Sequence, residues 1–421
     1  MPSWQTLSSR TGVASQPART GLTCYDRIMD LTLTASEEAF AAEVRSWLAE
    51  HVEHPGPFGS VDEEVDWGRS WQATLAAARM VAISWPESVG GRDASPVEVA
   101  LYTMEYARAG APQPINRVGI SHVGPTLLAR GTVQQQQRWM PAILDASEIW
   151  CQMFSEPDAG SDLAALRARA EPTDGGWRVS GQKVWTSYAR HATWGIALVR
   201  TASDAPRHSG ISCMAIAMDA PGVDVRPLRQ ITGESEFNEV FLDEVFVPED
   251  QLIGGLHQGW AVANTTLAHE RGVGFPFKEQ AVHEVYLEDL VALASRSGRL
   301  GEPAVDDALV DALVLVRILR LHNWRTLSRL ARGIEPGPES SLVKLAWTEM
   351  TQRLSTAAMV VLGDQAPLWP TPGGDLAAGT WQRQWLWSKA AGIAGGTTEV
   401  QRTIVAERLL GLPRAPAGQG T

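Results

Sequence analysis

Trp150-Cys151-Gln152-Met153-Phe154-Ser155-Glu156-Pro157-Asp158-Ala159-Gly160-Ser161-Asp162-Leu163 is the stretch on which the reading of this chain turns. An apolar start runs into an acidic Pro-containing turn and ends in small residues. Gly160 permits close backbone approach. Ser155 and Ser161 add hydroxyls, and a turn of this kind can aim successive amides at an anion. Taken alone, the stretch reads as readily as a small-residue surface turn. Its neighbours decide, because the texture of the chain changes on either side of it.

Before it, helical patterns alternate with breaks. Thr34 followed by Glu37 forms a possible capping box, and Phe40, Val44, Trp47 and Leu48 recur at helical spacing. Pro55-Gly56-Pro57, Trp85-Pro86, Gly90-Gly91 and Ala111-Pro112 interrupt the pattern. After it, from Gln152 to Pro248, short apolar runs (Trp177 to Val179, Ile196 to Val199, Ile211 to Met218, Val223 to Val225, Val240 to Val247) lie between turns such as Asp174-Gly175-Gly176 and Ala220-Pro221-Gly222. That is strand-and-turn punctuation. Helical texture returns from Gly259. The stretches 306–330 and 341–362 lack Pro and Gly, 363–379 is a Pro/Gly-rich interruption, and a last helix is expected from Thr398 to Leu410, ending near Gly411 and Pro413. The predicted units are an N-terminal helical domain (29–150), a middle β domain (151–255) and a C-terminal helical domain (256–413). Residues 1–28 read as a disordered extension or a start assigned too early, before Met29, and 414–421 as a tail.

With 421 residues the chain can bury a substantial core. A net charge of −12 argues against nucleic acid as a partner. Three cysteines (Cys24, Cys151, Cys213) do not make a disulfide framework and fit a reducing compartment, so a cytoplasmic location is expected. No apolar run reaches membrane-spanning length. The Ser/Thr/Arg-rich start has no apolar core of signal-peptide length.

Four further motifs carry chemistry. Gly181-Gln182-Lys183-Val184-Trp185-Thr186-Ser187 places an indole two positions before a hydroxyl. A strand Trp is ordinarily core packing, and with 17 tryptophans in the chain Trp185 counts only through its motif. Arg226-Pro227-Leu228-Arg229-Gln230 through Phe237-Asn238-Glu239-Val240-Phe241 reads as a sheet edge and connector, without chemistry of its own. Gly259-Trp260 precedes Leu267-Ala268-His269-Glu270-Arg271, where a helical Glu beside Arg is ordinarily a solvated pair contributing about 0–1 kcal/mol. Ile393-Ala394-Gly395-Gly396-Thr397-Thr398-Glu399-Val400-Gln401-Arg402 is a Gly-rich helix start that Thr397 or Thr398 can cap.

In this order and spacing, from Met29 to Pro413, these motifs resemble the acyl-CoA dehydrogenase family. The resemblance implies that family's fold: an all-α N-terminal domain, a central β domain and a C-terminal α-helical bundle. It implies an oxidoreductase of fatty acid or lipid catabolism with FAD as cofactor. Gln152, Phe154, Ser155 and Ser161 match dinucleotide contacts, and Ser161 also faces the acyl-CoA. Trp185 matches the indole against the isoalloxazine, Ser187 the hydroxyl near flavin N5, and Thr397 and Glu399 further dinucleotide contacts. Gly395 and Gly396 match the backbone that approaches the thioester, where each amide donor to the developing enolate contributes roughly 3 kcal/mol.

One departure matters. Many members have a catalytic glutamate where this chain has Gly395. Isovaleryl-CoA and actinobacterial steroid-side-chain dehydrogenases carry the base on the earlier helix instead, and Glu270, followed by Arg271, matches that position. The implied reaction is α,β-desaturation of an acyl-CoA, with Glu270 taking the α-proton and a hydride passing to flavin N5. An electron-transfer flavoprotein is the implied reoxidant. A base on the earlier helix accompanies branched, bulky or long substrates in several subgroups. The family's Arg and Phe-Gly element is missing from Phe277-Lys278-Glu279-Gln280-Ala281-Val282-His283, and its later Gly-Gly turn is Gly363-Asp364. These losses fit two different subunits building one flavin site. The assembly is thus a homo- or hetero-oligomer, a dimer or tetramer, and the alternative function is a non-catalytic partner subunit. A flavin monooxygenase or oxidase on the same fold is a third reading, disfavoured by the Glu270-Arg271 pair.

Overall fold

A computed structural model describes residues 33–55, 58, 61–270, 274–334, 337–369 and 380–414. The extension 1–28, Arg271, and most of the interruption and tail lie outside them. The backbone of Glu270 is described and its side chain is not.

The first layer contains α1 (Ala35–His51), α2 (Val61–Ala77), α3 (Pro96–Arg108), α4 (Gly124–Arg130) and α5 (Val133–Leu144). Thr34 closes the expected capping box: its hydroxyl accepts from Glu37 N, and the Glu37 carboxylate accepts from Thr34 N at 2.7 Å. Ser95/Glu98 and Thr132/Gln135 repeat the device at α3 and α5. Phe40, Val44 and Leu48 are buried as their spacing requires, and Trp47 stands half-buried against Trp71.

The middle layer is one twisted sheet of β1 (Trp150–Met153), β2 (Arg169–Thr173), β3 (Gly176–Ser187), β4 (Trp194–Arg200), β5 (Ile211–Ala217), β6 (Val223–Pro227), β7 (Phe237–Pro248) and β8 (Leu252–Ile253). The order is β6-β7-β3-β2-β4-β5-β8, with β1 parallel to β4. All five expected apolar runs fall on strands, the run from Ile211 to Met218 passing the end of β5 by one residue. β3 extends beyond its run and takes in the whole Gly181–Ser187 motif. Strand β2, polar and mostly exposed, has no apolar run to announce it. Strands β4 and β5 are buried on both faces because alternate residues serve two cores. Ile196 and Leu198 pack with the N-terminal helices, and Ala197 and Val199 with the rest of the sheet.

The third layer begins with α6 (Gly259–Glu270). A Cβ on Gly259 would lie 2.5 Å from the Ser212 carbonyl carbon, so only glycine lets α6 start against β5. α7 (Gly274–Arg296), α8 (Pro303–Leu330) and α9 (Ser340–Leu362) form the bundle, followed by α10 (Thr380–Trp387) and α11 (Thr398–Ile404). The expected last helix is present, but from Val405 to Leu409 it widens into a π-turn. No helix among the described residues is long and apolar enough to cross a membrane.

Asn116 joins the first two layers. It is fully buried; its Oδ1 accepts from Gly119 N at 3.2 Å and Trp150 N at 2.9 Å. Its Nδ2 donates to Ile143 O and Glu148 O at 3.1 and 2.9 Å. Asn116→Ala would leave several of these groups unpaired in a dry site, at about 1–3 kcal/mol each before relaxation. A loss of about 3–5 kcal/mol is expected in a urea melt, against about 1 kcal/mol for Thr34→Ala.

Candidate active site

The first two motifs are joined by a buried ion pair. Lys183 Nζ lies 2.8 Å from Glu156 Oε1 and also donates to Leu198 O at 2.7 Å and Phe154 O at 3.3 Å. Glu156 accepts in addition from Arg167 N and Ala168 N at 2.6 and 2.9 Å. The two ends of the 156–168 loop are thereby drawn to one carboxylate. Burial pulls the Lys183 pKa down, opposed by the Glu156 charge. Val184 N donates to Ser155 O at 3.0 Å, so the Ser155 turn and the Trp185 strand are hydrogen-bonded directly. Within this frame Gln152 is half-buried in β1, Phe154 is buried with its ring in the core, Ser155 is half-buried, and Ser161 and Gly160 are exposed. A Cβ on Gly160 would meet nothing within 4 Å.

Trp185 is 62% exposed, and its φ is +60°. It sits in an irregularity of the β3–β7 ladder between Lys183 and Thr186. Such bulges re-aim side chains beside functional sites, and a bulky residue in left-handed backbone carries strain of about 1–3 kcal/mol. The indole meets Phe237 edge-on, with ring centroids 6.1 Å apart. Next to it, the buried Thr186 hydroxyl has no hydrogen-bond partner among the described residues. Ser187 is half-buried and pairs with Phe237.

Charges tie this wall to the other layers. Arg117 donates to the Tyr188 hydroxyl at 3.2 Å and lies 3.6 Å from Glu236. Burial raises the Glu236 pKa, which the Arg117 charge opposes. Arg383 of α10 makes a two-bond pair with Glu234 at 2.5 and 2.8 Å. The β6–β7 connector, read from sequence as a sheet edge without chemistry of its own, is therefore one of the points at which the C-terminal domain is tied to the sheet.

The fifth motif lies over α9. Gly395 and Gly396 have φ of +65° and +93°, conformations an L side chain resists. Gln401 Nε2 holds Gly395 O at 3.1 Å, and Lys344 and Thr348 both donate to Ala391 O. Thr397 caps α11, accepting from Val400 N at 3.2 Å, and Glu399 is exposed. Ile393 is 68% exposed, the second large apolar residue that a site motif leaves uncovered. Motifs one and two are thus in contact, and among the described residues the hydrogen bonds of Gly395 to Thr398 stay within their own domain.

Sequence reading missed Asn116, His122, Arg117 and Arg383. Lys183 stood inside a quoted motif without a role. Period-two counting from the buried Val179 places Lys183 on the inner face, a signal that was available.

An exposed indole on a strained bulge, beside an open Ser/Gly loop and an unpartnered buried hydroxyl, fits a flat ring laid against the β wall. That is the architecture of a flavoprotein. Family models match along the chain: acyl-CoA dehydrogenase, N-terminal domain (34–147), middle domain (151–245) and C-terminal domain (257–410). The chain belongs to the acyl-CoA dehydrogenase family. It is 40% identical over 389 residues to acyl-CoA dehydrogenase IpdE1 of Mycobacterium tuberculosis, covering 90% of this chain and 99% of that protein. It is 42% identical over 351 residues to acyl-CoA dehydrogenase FadE34 of the same organism, covering 82% of this chain and 46% of that one. Among solved structures, the Tcur3481-Tcur3483 steroid ACAD superposes with a TM-score of 0.81 at 28% identity, covering 92% of this chain and 100% of that one. The ChsE4-ChsE5 complex of M. tuberculosis gives 0.78 at 29% identity, with the same coverage. The protein is an FAD-dependent oxidoreductase of acyl-CoA dehydrogenation.

If the Trp185 conformation is retained for the cofactor, Trp185→Gly separates the two effects. Apo stability should hold or rise by up to about 1 kcal/mol as the left-handed strain is relieved. FAD affinity should fall about tenfold or more with the lost aromatic contact. Thermal melts of apoprotein and titration with FAD check both.

Proposed function

We propose that this chain catalyses α,β-desaturation of a bulky acyl-CoA thioester, with Glu270 as the α-proton base. The observation that carries the reading is the position of Glu270 at the end of α6, in a chain whose fifth motif has glycine at 395. A carboxylate must come from elsewhere, and in support α6 is a fixed element, set by Gly259 against β5 and by a 2.9 Å hydroxyl pair, Thr126–Thr266, against α4.

The residues divide the work. Backbone amides at Gly395 and Gly396 approach the thioester oxygen and stabilise negative charge there. That lowers the α-proton's pKa, and the Glu270 carboxylate takes the proton. Closure by substrate desolvates the carboxylate and raises its pKa toward the task. Arg271 and Ser161 contact the acyl-CoA. Gln152, Phe154 (through its backbone), Ser155, Ser161, Thr397 and Glu399 hold the dinucleotide, with Trp185 and Ser187 on its ring. FAD, when bound, supplies the two-electron acceptor. An electron-transfer flavoprotein is the proposed reoxidant and the cytoplasm the proposed location, the latter supported by two buried free thiols, Cys151 and Cys213. The relatives described as steroid ACADs support a bulky substrate, a steroid-bearing acyl-CoA above others.

A second reading rests on the surface of α8. Val310, Leu313, Val314, Ile318 and Leu321 are exposed along one side of that helix, an apolar stripe of the kind that marks a subunit contact. With the ChsE4-ChsE5 complex among the similar structures, this supports an oligomer, and a heteromeric one in which this chain is the non-catalytic partner is the alternative.

Glu270→Gln decides between the readings. Anaerobic bleaching of bound FAD by butyryl-, isovaleryl-, octanoyl- or cholanoyl-CoA should fall by at least about a hundredfold, with the visible spectrum intact. Unchanged bleaching would sink the base assignment, whereas a wild-type chain whose FAD none of these thioesters bleaches would leave the partner-subunit reading. Gly395→Glu placed on Glu270→Gln should restore part of the rate.

A further inference from the structure

The turn that carries Gly395 and Gly396 is gripped from behind by one amide side chain. Gln401 is the buried residue of α11, with 1% of its surface exposed. Its amide meets Gly395 O at 3.1 Å. A carbonyl oxygen only accepts, so the amide nitrogen Nε2 must face it. In a trans peptide the carbonyl and the N–H that follows it point in opposite directions, and none of the described peptide bonds is cis. With Gly395 O turned inward onto Gln401, the Gly396 N–H is turned outward, to the side of the turn where Ile393 and Ala394 are exposed. Among the described residues, that N–H donates to no protein acceptor.

Two further observations concern the same peptide. Gly395 and Gly396 both have positive φ, and a Cβ on Gly396 would lie 2.6 Å from Gln401 Nε2. A side chain at 396 would therefore strain the backbone and press on the group that holds it. The second observation is an orphan. Gln401 Oε1 is buried and has no hydrogen-bond partner. Buried amide oxygens are ordinarily satisfied. The Gly395–Gly396 peptide can supply the missing donor if it turns over, a change that consecutive glycines permit. Its N–H then faces the interior, and the Gln401 amide, rotated about its last bond, accepts on Oε1. The turn thus has two arrangements, N–H outward and N–H inward, and the bond from Nε2 to Gly395 O selects the outward one.

We propose that Gln401 is a positioning residue for the thioester: by holding Gly395 O inward it aims the Gly396 amide at the thioester oxygen. The inference rests on the reading of the Gly395–Gly396 backbone as the place where that oxygen lies. Gln401 makes and breaks no covalent bond. It acts on the negative charge that gathers on the oxygen as the α-proton leaves, by fixing the direction of a donor before the charge develops.

The test reads carbonyl polarisation apart from turnover. The FAD-loaded protein is given the α,β-unsaturated thioester that corresponds to whichever of butyryl-, isovaleryl-, octanoyl- and cholanoyl-CoA bleaches the wild type fastest. Its thioester carbonyl carries carbon-13, and the isotope-difference infrared spectrum isolates that stretch. Wild type should move the band to lower frequency on binding. Gln401→Glu keeps the shape, but its carboxylate accepts and does not donate, so it favours the inward N–H. The band should return toward its free position, and kcat for anaerobic bleaching by the saturated thioester should fall about 100- to 1,000-fold with KM little changed. Gln401→Met, which selects neither arrangement, should fall between Gln401→Glu and wild type in both readouts. A wild-type band position in Gln401→Glu overturns the inference, whatever the rate. An equal loss in Gln401→Glu and Gln401→Met accompanied by release of FAD also overturns it, since that marks a packing role. A wild type that no thioester bleaches, or whose bound unsaturated thioester shows no shift, removes the reading of the turn itself. A wild-type shift that survives in Gln401→Glu removes only the role of Gln401.

Discussion

The site depends on one buried ion pair. Lys183 and Glu156 come from opposite sides of the first signature loop's closure, and their 2.8 Å contact is reinforced by two backbone amides on the carboxylate and two carbonyls near the ammonium. Burying two charges is unfavourable unless every remaining hydrogen-bonding site is satisfied. Here those sites are met by the backbone of the loop and of β4, so the pair forms only when loop, β3 and β4 are in register. That makes the interaction a specifier of geometry. It sets the Ser155 turn against Val184, and Trp185 follows directly in the chain.

What that frame holds in place is unfavourable in isolation. Trp185 is left-handed and exposed, Gly395 and Gly396 are left-handed, and Ile393 is uncovered. Strain and exposed apolar surface in a few motifs, against satisfied and buried groups elsewhere, is the distribution expected where a protein waits for a large flat ligand. Arg383–Glu234 and Arg117–Tyr188 bring helices of both other domains to the same β wall, so that wall has layers above and below it.

The fold was legible because its signals were local. Capping residues, apolar runs and Gly turns announced α1, strands β3 to β7 and the long C-terminal helices, and each lies where its pattern put it. Strand β2 escaped because it is a polar strand whose pairing comes from β3, a partner no local pattern names. The candidate site was legible as motifs, residue by residue, but not as an assembly. Asn116, Arg117, His122 and Arg383 act through partners 30 to 149 residues away in the chain, and single polar residues at that separation leave no periodic trace. Lys183 is the intermediate case, since strand alternation pointed inward while its charge argued for the surface.

The departure at Gly395 then has a physical logic. A base on the loop at 395 would sit in left-handed backbone, and its carboxylate would be aimed by a turn segment held through Gln401 to Gly395 O, Thr398 to Gly392 O and its helix cap. A base on α6 is aimed by a helix whose first residue has no room to move against β5 and whose middle is bonded to α4. Precision of placement favours the helix, because reactive geometry tolerates only fractions of an ångström. The loop, freed of that task, keeps two glycines and with them the space to bring backbone amides close to a thioester carrying a large acyl group. On this reading the loss of the acid at 395 and the gain of room beside it are one change: the proton-abstracting group moves to the stiffer element, and the more pliable one is left to bind.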